Sequence, residues 1–152
     1  MRLRSISHSD IEFLRQLKNS HNKCFFNQDI ISEENQSIWF KNYSKNKHDI
    51  MFVLEEKIDN IFISIACMGF RYQIKENNID LYNIMRGPKR SSSNAKVSYG
   101  LNMMIEYIQK NYFCDITAKV LTDNPAIKWY LKNKFHITER NPGFYKISYI
   151  VN

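Results

Sequence analysis

The sequence has few of the residues that interrupt or staple a chain: 152 residues contain four glycines, three prolines and three cysteines. That excludes a collagen-like repeat, a proline-rich linker or a low-complexity tail, and nothing marks a boundary between two units. Cys24, Cys67 and Cys114 are odd in number and widely spaced, matching neither a disulfide framework nor a zinc pattern. They read as core or surface thiols, and no metal is expected. Long apolar runs are also missing. The longest, Ile61 to Phe70, is broken by Ser64 and is far too short to span a bilayer. The opening Met1–His8 has no apolar centre of the kind a signal peptide needs. Acids are scarce, 15 against 22 lysines and arginines, for a net charge of +7. Such an excess attracts anions: nucleic acid, a membrane surface or a phosphorylated small molecule. With 43% hydrophobic and 14% aromatic residues, disorder is excluded. The expectation is one soluble, cytoplasmic domain over residues 1–152.

Patterning supplies the elements. Arg2 to Ile6 alternates with period two, as a half-buried strand does. Ser9 and Glu12 have the spacing of a capping box, and Ile11, Leu14 and Leu17 follow at helical intervals. Residues 19–31 have no clean period and read as irregular, and Ser32-Glu33-Glu34 starts a second helix. Asp49–Glu55 and Asn60–Arg71 are apolar, β-branched strands around a turn at Lys57–Asn60, and Asn78–Met85 is a third strand. After the basic, serine-rich loop Arg86–Asn94, the residues Val97, Leu101, Met104, Ile105 and Ile108 mark one face of a long helix. A strand at Asp115–Leu121 comes next, then a helix at Ala126–Asn133 with Pro125 near its first turn. Strands at Phe135–Glu139 and Phe144–Val151 close the chain around Asn141-Pro142-Gly143. This order predicts an α/β fold with a mixed, mostly antiparallel central sheet and helices on both faces.

The order resembles the GNAT superfamily of acetyl-coenzyme A-dependent N-acetyltransferases over nearly the whole chain. The clearest local match is Asn124, Ala126, Trp129-Tyr130, Lys132 and Lys134-Phe135. Asn124 and Ala126 are one residue closer than in the family pattern, and Lys134 stands where glycine is usual. The phosphate-binding signature falls on Ala95–Gly100, where Gly100 is the matching residue. A helix N-terminus there would offer free amides to a pyrophosphate. Arg86-Gly87, Tyr99–Met103 and the Ile31, Ser32, Gln36, Trp39 set are similar to amino-sugar N-acetyltransferases of glycan biosynthesis. Asn22 in Ser20-His21-Asn22 matches an asparagine often found there.

The resemblance implies acetyl-coenzyme A as cosubstrate and direct attack by an acceptor amine in a ternary complex. Ile84, Met85 and Arg86, with Ser98, Tyr99, Gly100 and Asn124, would hold the cofactor. Tyr130 would protonate the leaving thiolate, and His21, Asn22 and Trp39 would border the acceptor. The expected acceptor is a small-molecule amine, an amino sugar carried on a nucleotide. Neither nucleic acid nor a membrane is expected as a partner, and a homodimer is left open. No base is assigned among Asp80, Glu76, His21, His48 and a water chain. Trp39 also reads as core, Asn124 as a plain helix cap, and Tyr130 as packing under the cofactor. Three alternatives stand beside this reading: a protein or peptide N-terminal acetyltransferase, a non-enzymatic basic nucleic-acid-binding module, and a degenerate family member that binds cofactor without turnover.

Overall fold

The computed structural model describes residues 1–88 and 93–150, so Lys89, Arg90, Ser91 and Ser92 of the basic loop, and Val151 of the expected final strand, lie outside the described residues. The first alternating segment forms β1, Arg2–Ser5. The helix start differs from expectation. Ser7 and Asp10, not Ser9 and Glu12, make the capping box, around one 3-10 turn at His8–Asp10. The Ser7 backbone N–H donates to Asp10 Oδ2 at 2.8 Å, and Arg4 donates to both oxygens of that carboxylate at 2.7 and 2.8 Å. Asp10 takes the position because a guanidinium from β1 meets it there, while Glu12 stays on the surface with Arg15. Helix α1, Ile11–Ser20, buries Leu14 and Leu17. Helix α2, Glu33–Tyr43, begins from Ser32, whose hydroxyl accepts the Asn35 N–H.

β2, Asp49–Ile58, and β3, Ile61–Gln73, are joined by Asp59 and Asn60 alone, both left-handed with φ of 47° and 66°. A two-residue turn of that hand matches strand twist, so Lys57 and Ile58 stay paired instead of forming the turn. There follow β4 (Asn78–Arg86), α3 (Asn94–Asn111), β5 (Asp115–Leu121), α4 (Ala126–Lys132), β6 (Phe135–Asn141) and β7 (Phe144–Tyr149). Asn141 pairs with Phe144, which leaves Pro142 and Gly143, at φ 84°, as the turn.

The seven strands make one sheet in the order β1-β2-β3-β4-β5-β7-β6, in which the β4–β5 junction is the parallel one. Helices α3 and α4 cover one face over the larger core, with Leu101, Met104 and Ile108 fully buried. Helices α1 and α2 cover the other over a smaller core around Leu14, Met51 and Met85. Among the described residues no helix is long and apolar enough to cross a membrane.

The parallel junction is short. Asn78–Leu81 pair with Asp115–Ala118, and there pairing stops, although β4 runs on to Arg86 and β5 to Leu121. The cause lies on the other edge of β4. Cys67 pairs with Met85 and Gly69 with Tyr82, so Asn83 and Ile84 together face Met68, with Asn83 at φ 49°. A bulge bends a strand and adds local twist, and this one turns the second half of β4 away from β5.

Candidate active site

The splay opens a cleft of about 910 Å³ between β4 and β5, walled by α1, α2, α4 and the segment 21–31. Because pairing with β5 ends at Leu81, the β5-facing backbone groups of Tyr82–Arg86 have no strand to bond. That bare edge holds three of the expected cofactor residues, Ile84, Met85 and Arg86, and all three line the cleft. Arg86 is fixed at both ends: its guanidinium donates to Asn94 Oδ1 at 2.9 Å, and its carbonyl accepts from His21 Nε2 at 3.0 Å. Gly87 must be a glycine here, since a Cβ would sit 2.6 Å from the Ile65 carbonyl oxygen.

Tyr130 forms part of the cleft wall, 9% exposed, with edge-on contacts to Trp129 and Phe135 at centroid separations of 5.0 and 5.3 Å. Its hydroxyl makes no hydrogen bond among the described residues. A buried O–H without a partner is expensive, and the cleft that Tyr130 lines is where water or a ligand reaches it. Burial first, and the charge of Asp80 second, push the phenol above its ordinary range and keep it protonated.

Asp80 lies on β4 directly across from Arg71 on β3 and lines the same cleft as Tyr130. It forms no ion pair or hydrogen bond among the described residues, and burial raises its pKa against the opposing pull of Lys119 and Arg71. Neither His48 nor Glu76 lines the cleft. The structure therefore brings together an uncommitted carboxylate and a protonated phenol, the two proton-handling groups that acyl transfer to an amine calls for.

Asn124 also lines the cleft and does two things: Oδ1 accepts the Ala126 N–H at 2.9 Å, capping α4, and Nδ2 donates to the Cys24 carbonyl at 3.3 Å. Ser98 Oγ accepts from Trp129 Nε1 at 2.9 Å, tying α3 to α4. Tyr99 is 51% exposed and outside the cleft. Gly100 faces the sheet, where a Cβ would meet Leu54 Cδ2 at 2.8 Å, so the missing side chain serves helix-to-sheet contact. The start of α3 lies at the cleft, which Asn94 lines, and of its first amides those of Lys96 and Val97 are already taken by the Ser93 hydroxyl and carbonyl. A second pocket of about 370 Å³ continues from this point between α3 and α4 and contains Ser98, Lys128 and Lys132.

On the acceptor side, His21 and Trp39 line the cleft, Trp39 stacked on Tyr43 at 5.2 Å. Asn22 does not line it; its amide donates to the Gln28 carbonyl and shapes the loop. The cleft residues that were not expected at the site include Lys18, Arg71, Asn83 and Lys119. Lys18 was detectable. Leu14, Lys18 and His21 follow at helical spacing on the buried side of α1, so a lysine interrupts an apolar stripe. Lys128 and Lys132 likewise flank Trp129 at helical spacing. Arg71 and Lys119 gave no such signal, since a charge at a strand position ordinarily faces solvent. Among the described residues no cluster of metal-ligating side chains occurs.

No protein-family model and no curated protein matches the sequence. Solved structures do match. A domain from Methanocaldococcus jannaschii superimposes with a TM-score of 0.80 at 15% identity, covering 97% of each chain. Ribosomal-protein-alanine N-acetyltransferase from Brucella melitensis does so at 0.75 and 13% identity, over 99% of this chain and all of that one. The fold is that of the GNAT N-acetyltransferases. Spermidine N-acetyltransferase from Vibrio cholerae, solved with CoA and spermine, has a TM-score of 0.76 at 15% identity, over 97% of this chain and 91% of that chain. The GNAT likeness reaches across the whole sheet and all four helices.

Proposed function

We propose that the chain transfers an acetyl group from acetyl-coenzyme A to the amine of a small acceptor, an amino sugar carried on a nucleotide. The observation that carries the reading is the buried, unpartnered Tyr130 hydroxyl beside a strand edge that has lost its neighbour. A pantetheine arm has two amides at strand-like spacing, and the bare backbone of Tyr82–Arg86 offers them complementary groups. The first amides of α3, those of Asn94 and Ala95, suit a diphosphate, and Lys128 and Lys132 in the adjoining pocket suit a further phosphate. The residues thus fit the cosubstrate without any help from Tyr99 or Gly100. When bound, acetyl-coenzyme A supplies an activated thioester.

The remaining chemistry belongs to side chains of this protein. Asp80 accepts a proton from the acceptor ammonium, directly or through one water, its raised pKa making it a better base than a surface aspartate. The bulged backbone around Ile84 would supply an N–H donor to the acyl oxygen, a role in which preorganised amides are effective. Tyr130 gives its proton to the departing sulfur. Burial disfavours the anion of both groups, Lys119 and Arg71 oppose it at Asp80, and the Asp80 charge adds to the burial that keeps Tyr130 protonated.

A small acceptor is favoured over a peptide by the segment 21–31. It crosses to the far wall through the Asn124–Cys24 hydrogen bond and a Phe26–Phe144 edge contact at 5.7 Å. The acceptor end is thereby walled rather than open. The test is binding of coenzyme A by calorimetry, followed by thiol release from acetyl-coenzyme A on a panel of sugar nucleotides, free amino sugars, spermidine and N-terminal peptides. Release on amino-sugar nucleotides is the expected result. Absence of coenzyme A binding would remove the reading, and turnover confined to peptides would replace it with the protein-acetylating alternative.

A further inference from the structure

The cleft has more cations than acids. Its charged lining is Lys18, Arg71, Arg86 and Lys119 against Asp29 and Asp80. Two of the four cations are engaged, and the exposed Lys119 reaches only the Phe144 ring, 5.8 Å from its centroid. Arg71 donates to Asp49 Oδ2 at 3.1 Å and lies 3.9 Å over the Tyr82 ring, whose hydroxyl donates to the other Asp49 oxygen. Arg86 is bound to Asn94. Lys18 is different. Like Arg86 and Lys119 it belongs to none of the ion pairs among the described residues, but it is partly buried and its Nζ is fixed between two neutral groups, the Asn83 Oδ1 at 2.6 Å and the face of Phe25 at 3.3 Å from the ring centroid. Both partners are fixed. Asn83 is the bulge residue at φ 49°, and Phe25 packs against the smaller core.

Holding an ammonium in place without a carboxylate costs desolvation and leaves N–H capacity unspent. The cost is visible: burial, with Arg71 adding to it, brings Lys18 down to about 8. A merely structural lysine would swing out to water on its flexible stem. This one is oriented by a hydrogen bond and a ring at the point where the acceptor side of the cleft meets the bulge. Resting on the acetyl-transfer reading above, we propose that Lys18 is the specificity residue for the acceptor: it binds a phosphate oxygen of a phosphorylated amine, with Asn83 and Phe25 aiming its ammonium. The same charge repels polyamines, so this cleft and the spermine-bound relative of its fold are expected to select opposite charges.

Binding is measured by calorimetry on the full chain with coenzyme A saturating, so that the phosphate sites of the cosubstrate are already filled. The probes are uridine diphosphate, glucosamine 6-phosphate, uridine and spermidine. The proposal expects one or both phosphorylated probes to bind more tightly than uridine. Lys18→Gln should weaken that binding about 10- to 100-fold, the range for loss of one charge-assisted hydrogen bond. Lys18→Arg should restore most of it, and Lys18→Glu should gain spermidine binding. If uridine diphosphate alone responds, the phosphate is that of a nucleotide; if glucosamine 6-phosphate alone responds, it is that of a sugar phosphate. Thermal melts of each variant establish folding, and Lys18→Arg provides the charge-retaining control. Phosphate binding that is equal in wild type and Lys18→Gln, or no phosphate binding at all in the coenzyme A complex, overturns the proposal while leaving acetyl transfer intact. Failure of coenzyme A itself to bind would instead strike the underlying reading.

Discussion

Replacing Tyr130 by phenylalanine separates a catalytic hydroxyl from a packing one, because the two roles predict stability changes of opposite sign. The ring is 9% exposed and packed edge-on between Trp129 and Phe135, so the ring contacts survive the substitution. What disappears is an oxygen with no hydrogen-bond partner among the described residues. Leaving a buried polar group unsatisfied costs ~1–3 kcal/mol, and water in the cleft recovers part of that. The variant is therefore expected to be more stable than wild type by about 1 kcal/mol, or ~2–4 °C in Tm for a chain of this length. At the same time the leaving thiolate loses its proton donor. Thiol release should slow by roughly 100-fold, at the lower bound for acid catalysis by one group, with coenzyme A affinity nearly unchanged. The assay is a thermal melt of the free protein beside steady-state thiol release. Lower stability together with lower activity would show that the hydroxyl is holding the fold. Higher stability with full activity would show that it is not the acid.

Asp80→Asn should likewise be more stable than wild type at neutral pH, because the carboxylate's pKa is raised by folding. Its contribution is favourable below the unfolded value and is lost as pH rises through the folded one, so the variant's advantage grows over that interval and is read from urea melts across pH. The same substitution should remove the acid limb of the kcat/KM profile, a limb that would survive if a histidine or water alone took the proton. Asp10 behaves in the opposite sense: Arg4 first, then the Ser7 N–H and hydroxyl, hold it at about 2 against an ordinary 3.8. Asp10→Asn should cost ~2 kcal/mol at neutral pH, a loss that shrinks as pH falls from 3.8 towards 2; a penalty independent of pH would mean that the ion pair is not its source. Lys134→Gly should raise Tm by up to ~2 °C, since the lysine sits at φ 65° just past α4, where glycine avoids a strain of about 1 kcal/mol. An unchanged or lower Tm would mean that the loss of chain stiffness in the unfolded state outweighs that relief.

Much of the fold was legible because it is written in periodicity. The α3 stripe from Val97 to Ile108 and the strand Asp115–Leu121 appear as the pattern places them. The errors arose where one residue decides the geometry. Two left-handed residues at Asp59-Asn60 extended the hairpin, and Arg4 drew the cap from Ser9 to Ser7 through a carboxylate six positions away. The site was legible in part. Tyr130 and the Ile84–Arg86 edge stand at the cleft, whereas Asn22, Tyr99 and Gly100 match the family pattern without lining it. Such a motif preserves the chain path as much as the contacts. Gly100 lets α3 approach Leu54, and Ser98 anchors Trp129, so both shape the site from behind. Lys18 shows in the sequence only as a charge within an apolar stripe, and that neither it nor Asp80 belongs to an ion pair among the described residues is a property of three-dimensional packing.

That property also explains why the two halves of the cleft are joined at Asn83. Its backbone, left-handed at φ 49°, produces the bulge that bends β4 and exposes the edge from Tyr82 to Arg86. Its side chain turns the other way, accepting from Lys18 Nζ at 2.6 Å. Asparagine is one of the few residues able to do both, since its short polar side chain tolerates the left-handed region and still presents a carbonyl. Glycine would keep the bulge and lose the lysine's anchor; a β-branched residue would lose both. One position thus sets the strand edge proposed for the cosubstrate and the cation proposed for the acceptor. The register of the two ligands is then a consequence of local backbone geometry rather than of a hinge or a second domain.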